Sequence, residues 1–175
     1  MIFNLDGYVI AIGLLSFLMA FSIGANDAAN ALATSYGSNA LKLIWLVFLG
    51  SLFEFIGAYF CSGHVAGKLV QSVISDVNTI DELLIEKMML GASISSFLFI
   101  MSSSLFGMPI SGTHTVVGAL IGSALAVQGS QNINLNKLGM IIGSWCVAPL
   151  LSIVISALFF VAVCSLTLNQ ARNQF

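Results

Sequence analysis

Two short stretches place hydrogen-bonding side chains inside otherwise apolar sequence, and both have the residue types to hold ions. The first is Gly24-Ala25-Asn26-Asp27-Ala28-Ala29-Asn30-Ala31. On a helix Asn26 and Asn30, four apart, share a face with Asp27 beside it. Carboxylate and amide oxygens converging in this way suit a hard cation such as Na⁺, which takes oxygen ligands. They equally suit an anion that can donate a hydrogen bond. A plainer reading stands beside these, in which Asn26-Asp27 only caps a short helix over 28–33.

The second stretch is Gly107-Met108-Pro109-Ile110-Ser111-Gly112-Thr113-His114-Thr115. Pro109 has no N–H and Ser111 is a good N-cap, so a helix is predicted to begin near Gly112. The first N–H groups of such a helix lack intrahelical partners and carry a partial positive charge. Gly112 lets a ligand approach the backbone, while Ser111, Thr113 and Thr115 add hydroxyl donors. An anion site can be built this way without Arg or Lys. The plainer alternative is an ordinary turn capped by Ser111. His114 at a helix start is expected to be neutral, because that end disfavours an imidazolium. Ser111 and His114 could share a face as a hydrolase pair, but no nucleophile elbow or second orienting acid accompanies them.

The elements that must position these residues are membrane helices. Hydrophobic residues make up 58% of the 175 and charged residues 7%, against roughly 25% charged in soluble domains. A mean hydropathy of +1.03 leaves too few charges to coat a soluble surface. Apolar segments are predicted over about 8–33, 41–61, 88–106, 110–127 and 138–166, the last containing Pro149. Glu54 stands in the second of them, and an acid at membrane depth is a functional candidate. The polar stretch 62–87 reads as an interfacial helix or loop. Within it Val65, Leu69, Val70, Val73 and Ile74 recur on one face, opposite His64, Lys68 and Gln71. Asp76, Asp81, Glu82 and Glu86 then mark a solvated loop or a helix start.

Other features exclude more than they assign. The apolar N-terminal run is preceded by Asp6 and by no Lys or Arg, so a retained first helix is expected rather than a cleaved signal. Cys61, Cys146 and Cys164 lie far apart, without metal or redox spacing. No basic patch suggests nucleic acid, and the five Lys and Arg are too scattered to set orientation. The pairs Gly63/Gly67, Gly118/Gly122 and Gly139/Gly143 allow close helix packing.

At the two polar clusters the chain resembles the inorganic phosphate transporter (Pit) family. Residues 24–31 look like its GANDxANA signature, and Pro109-Ile110-Ser111-Gly112-Thr113-His114 resembles its P-[IV]-S-[ST]-T-H hairpin tip. Phe53-Glu54-Phe55-Ile56-Gly57-Ala58 and Ser144-Trp145 with Pro149 match two further family features in the same order. Gly112 stands where the family usually has a hydroxyl. Family members carry two copies of this unit as an inverted repeat, with substrate between them, whereas this sequence holds one.

The resemblance implies an all-α integral membrane fold, a helical bundle with a re-entrant helical hairpin. Residues 1–175 would then be a single transmembrane repeat unit, half of an inverted-repeat transporter completed by a second repeat or a second copy of the chain. It implies symport of inorganic phosphate with Na⁺ or H⁺ by alternating access in the inner or plasma membrane, without cofactor or catalysis. Phosphate would be held by Asp27, Asn30, Ser111, Gly112, Thr113 and Thr115. Cation coupling would fall to Asn26, Asp27 and Glu54, with Na⁺ at Asn26 and Asp27. The alternatives are a sulfate or metal–phosphate carrier on the same scaffold, or a structural subunit that packs against a transport partner.

Overall fold

A computed structural model describes residues 5–74, 80–130 and 133–172, and apart from one isolated β-bridge the regular structure in them is helical. Five helices follow in order: α1 (Leu5–Gly37), α2 (Leu43–Val73), α3 (Glu82–Leu105), α4 (Gly112–Gln128) and α5 (Leu135–Arg172). Four contain stretches long and apolar enough to cross a bilayer: Ile10–Gly37, Leu43–Gln71, Glu82–Leu105 and Leu135–Thr167. This is a multi-pass membrane chain. α4 has 17 residues, about 25 Å at 1.5 Å per residue, short of the roughly 30 Å hydrocarbon core.

The chain divides into two units, 1–134 and 135–175. In the first, α3 packs closely on both α4 and α1, while α2 touches α1 and α4 more sparingly. α1 and α3 run parallel. Ile12, Leu15 and Ser16 share a cavity with the start of α3, and Asn26 reaches Ser104 near its end. Met88, Ala92, Ile100, Val117, Leu120 and Ala124 are buried along α3 and α4. Hydroxyls are abundant in α3, and most bond to their own helix: Ser93, Ser102, Ser103 and Ser104 donate to the carbonyl four residues earlier at 2.7–2.9 Å. They therefore need no partner on a neighbouring helix. Ser96 Oγ is buried without a hydrogen bond.

The reversal between α3 and α4 follows from local chemistry. Gly107 takes φ +67°, a left-handed conformation that glycine adopts at little cost. Gly107 N donates to Ser104 O and Met108 N to Ser103 O, closing α3. Pro109 cannot continue the helix, and Ser111 then caps α4, its Oγ accepting from His114 N at 3.3 Å. The helix predicted to begin near Gly112 begins there.

One alternative left open by the sequence falls, and two boundaries depart from the sequence reading. α1 does not break at the Asn26-Asp27 cluster, which lies inside the helix and caps nothing. Flanking alanines, the strongest helix formers, carry the chain through. The stretch 62–87 is not one interfacial element. Residues 62–73 continue α2, and 82–87 open α3 behind an Asp81 cap that accepts from Leu83 N. The apolar face seen in 65–74 is in phase with a helix already under way, and no proline interrupts it. Asp76 lies outside the described residues. An antiparallel bridge between Ile74 and Ile133, with Asn134 N donating to Val73 O at 3.0 Å, joins the end of α2 to the segment after α4.

The second unit is α5 alone. Pro149 lies within it without ending it; membrane helices tolerate a proline more readily than soluble ones. Its candidate span has a mean hydropathy of 2.6 and none of it is buried.

Candidate functional site

The two polar clusters meet. Asn26, near the middle of the α1 span, is only 6% exposed. Its Nδ2 donates to Ser104 Oγ at 3.0 Å and to Met108 O at 3.1 Å, and its Oδ1 accepts from Ile110 N at 3.0 Å. The residues 107–111 are outside any helix, and unsatisfied backbone groups at membrane depth cost several kcal/mol each. Asn26 satisfies two of them, one on each side of Pro109. The hairpin tip is thus level with Asn26, about 16 Å short of the end of α1 at 1.5 Å per residue.

Asp27 faces another way. It is half-buried, and Asn30 Nδ2 donates to its Oδ1 at 3.3 Å. Its other oxygen lies beside the first turn of α4: a Cβ built on Gly112 would sit 3.5 Å from Asp27 Oδ2 and 3.6 Å from Ile23 Cγ2. The carboxylate of the first cluster therefore flanks the helix N-terminus of the second. Ser111 and Thr113 are exposed there, and Thr115 Oγ1 donates to Ser111 O at 3.0 Å.

Asp27 and Asn30 also line a cleft of about 840 Å³ against α2, with Ser51 and Glu54 on its far wall. Two carboxylates and no basic residue line it, so its field favours cations. Ser51 is absent from the sequence reading. Its signal was its place one turn before Glu54, which puts both on one face. A separate cavity of about 380 Å³ lies along α1 and the hairpin tip, lined by Asn26, Asn30, Ser104 and the tip backbone. Asn30 alone of these polar side chains lines both spaces. The cation pair read from sequence, Asn26 with Asp27, is therefore divided between two cavities. Adjacent residues on a helix point about 100° apart, and here one faces the tip and the other the cleft. Ser104, also unforeseen, is recognisable only from the fold.

Among the described residues no cluster of three His, Cys, Asp or Glu could hold a metal. The Ser111 hydroxyl is engaged with the His114 backbone as a cap, which is a structural use rather than that of a nucleophile.

Comparison with known proteins bears on the fold and the family. The model of the phosphate transporter family matches residues 23–175. A candidate phosphate permease of Haemophilus influenzae is 34% identical over 145 residues, covering 82% of this chain and 34% of that protein. A Plasmodium falciparum protein named sodium-dependent phosphate transporter is 34% identical over 170 residues, covering 95% of this chain and 25% of the relative. A solved structure titled the sodium-dependent phosphate transporter superposes with a TM-score of 0.76 at 33% identity, covering 81% of this chain and 35% of that one. The chain spans about a third or less of the length of each.

Proposed function

Because the chain belongs to the phosphate transporter family, we propose that it forms one repeat of a cation-coupled symporter for inorganic phosphate. The observation that carries this reading is the position of the Asp27 carboxylate, beside the α4 N-terminus and on one cleft with Glu54. Phosphate bound at the first turn of α4 would meet the N–H groups of Gly112 and Thr113 and the hydroxyls of Ser111 and Thr113, whereas Thr115, read from sequence as a further donor, already spends its hydroxyl hydrogen on Ser111 O.

The charge balance then demands cations. A helix end contributes about half a positive charge, while phosphate brings one or two negative charges and Asp27 and Glu54 bring two more. An unpaired ion in low dielectric costs on the order of 20 kcal/mol by a Born estimate. No Lys or Arg lines the cleft, so co-transported Na⁺ or H⁺ supplies the missing charge at Asp27, Glu54 and Ser51. Relatives named sodium-dependent favour Na⁺.

Glu54 is exposed, and the site needs ligands from a second, inverted copy of the unit. Parity supports inversion. With the α3–α4 hairpin re-entrant, its tip level with Asn26, the unit crosses three times, through α1, α2 and α5; that number is odd, so a tandem copy enters upside down. Alternating access would then be one repeat moving against the other in the inner or plasma membrane.

The test is uptake of radiolabelled phosphate into proteoliposomes, with Na⁺ and pH gradients imposed separately. Uptake is expected only when a second repeat is present and one of the two gradients drives it. Saturable uptake by the 175-residue chain with no second copy associated would overturn the half-site reading, and uptake indifferent to both gradients would overturn coupling.

A further inference from the structure

We infer that Asn26 is a positioning residue, which pins the α3–α4 tip to α1 and so sets how the Asp27 carboxylate meets the first turn of α4. The inference rests on the phosphate-symport reading above and concerns how that site is held in shape.

The hydrogen bonding of this side chain is committed. Both amide hydrogens have acceptors, Ser104 Oγ and Met108 O, and the amide oxygen already accepts from Ile110 N. These partners bracket Pro109, which has no N–H of its own to anchor the tip. Ser104 is fixed in turn by donating to Ile100 O at 2.9 Å, so the pin connects α1 to a stationary point on α3. One residue further along α1, Asp27 lies against Gly112. The distance from pin to carboxylate is a single helical step on one side, and three residues of tip on the other. Loss of the pin frees the tip to shift while leaving Asp27 where it is. Asn26 touches neither ion in this arrangement and acts through Ser111 and Gly112.

The competing role, a Na⁺ ligand, makes the opposite prediction for Asn26→Asp. That change keeps size and one acceptor oxygen, replaces both donors, and adds a charge that a cation would welcome. Initial rates of radiolabelled phosphate uptake by the assembled transporter in proteoliposomes, with phosphate and Na⁺ varied independently, separate the two. For the pin, half-saturating phosphate rises about tenfold or more, as losing several hydrogen bonds of a buried side chain would give, while half-saturating Na⁺ stays at the wild-type value. Ser104→Ala removes one of the three bonds without adding charge, and produces a smaller rise in the same direction; it carries the test if Asn26→Asp does not fold. A fall in half-saturating Na⁺ for Asn26→Asp, or wild-type phosphate dependence in Ser104→Ala and any folded Asn26→Asp, would overturn the pin. Failure of the wild-type assembly to take up phosphate would instead sink the symport reading, and the role assigned to Asn26 with it.

Discussion

Asp27 Oδ2 and Gly112 are neighbours across the helix interface: a Cβ on Gly112 would stand 3.5 Å from that oxygen. Residues separated by most of the first unit thus form one contact, between a carboxylate and the electropositive start of a helix. Under the proposed reading, an anion arriving at α4 would share that end with Asp27, and a cation held there would decide whether the two can coexist.

Asp27→Asn tests what that carboxylate does. As a cation ligand it should lose Na⁺ affinity on conversion to an amide while the phosphate-to-sulfate ratio is unchanged. Were it instead the acceptor that reads the phosphate proton, sulfate would gain relative to phosphate. Sites built around such a bond discriminate by up to 10⁴ or so. Competition uptake with both oxyanions, at several Na⁺ concentrations, distinguishes these, and the cation result is expected. A variant unaltered in both respects would remove Asp27 from the site.

Glu54→Gln keeps the shape of the side chain on the far wall of the cleft and removes its charge. The expected outcome is an altered dependence of uptake on Na⁺ or pH with protein yield unaffected, because Glu54 is exposed. Superimposable cation titrations for variant and wild type would take Glu54 off the coupling pathway.

At the α4 start the two hydroxyls should separate. Thr113→Val is expected to weaken phosphate binding by about 1.5–3 kcal/mol, the usual worth of a hydrogen bond to a charged group, with little effect on melting. Ser111→Ala should weaken binding and also lower stability by about 1 kcal/mol, since it removes the helix cap. Equilibrium binding and thermal unfolding measured on the same preparations would show it. Wild-type binding by Thr113→Val would return this turn to a purely structural role.

Gly112→Ala should move stability and function apart. Its φ is not in the left-handed range, and the added methyl would meet its neighbours at ordinary contact distances of 3.5–3.9 Å. Alanine favours a helix over glycine by up to about 1 kcal/mol, so melting temperature should hold or rise. The methyl nonetheless occupies the gap between Asp27 and the first turn, and phosphate affinity should fall. Equal affinity in the variant would mean the gap is not used.

The elements and the cap were legible because they follow from local chemistry. Pro109, Ser111 and Gly112 in that order announce a helix start, and the apolar runs announce membrane spans. The two signature clusters also identified the family. At Asn26-Asp27 the sequence left a helix cap open beside an ion site, because polarity can mark a boundary; the surrounding alanines outweigh it, and the segment read over 8–33 runs through as one helix. The extent of α2 was misjudged for a related reason, since an amphipathic period does not say where a helix begins. What no pattern could supply is direction around α1. Asn26 and Asp27 are adjacent in sequence yet face separate cavities, and only the packing of α3 and α4 decides which faces which. Ser104, the partner of Asn26, is one of six serines in α3 and is distinguished by place alone.

The reversal of α3 into α4 level with Asn26 has an electrical consequence. A full transmembrane charge movement is worth about 2.3 kcal/mol per elementary charge per 100 mV. An ion that reaches a turn placed partway along α1 has traversed only part of that potential drop when it binds. If the site is occupied as proposed, its occupancy would itself be a voltage-sensing step, separable from the alternating-access change that would follow.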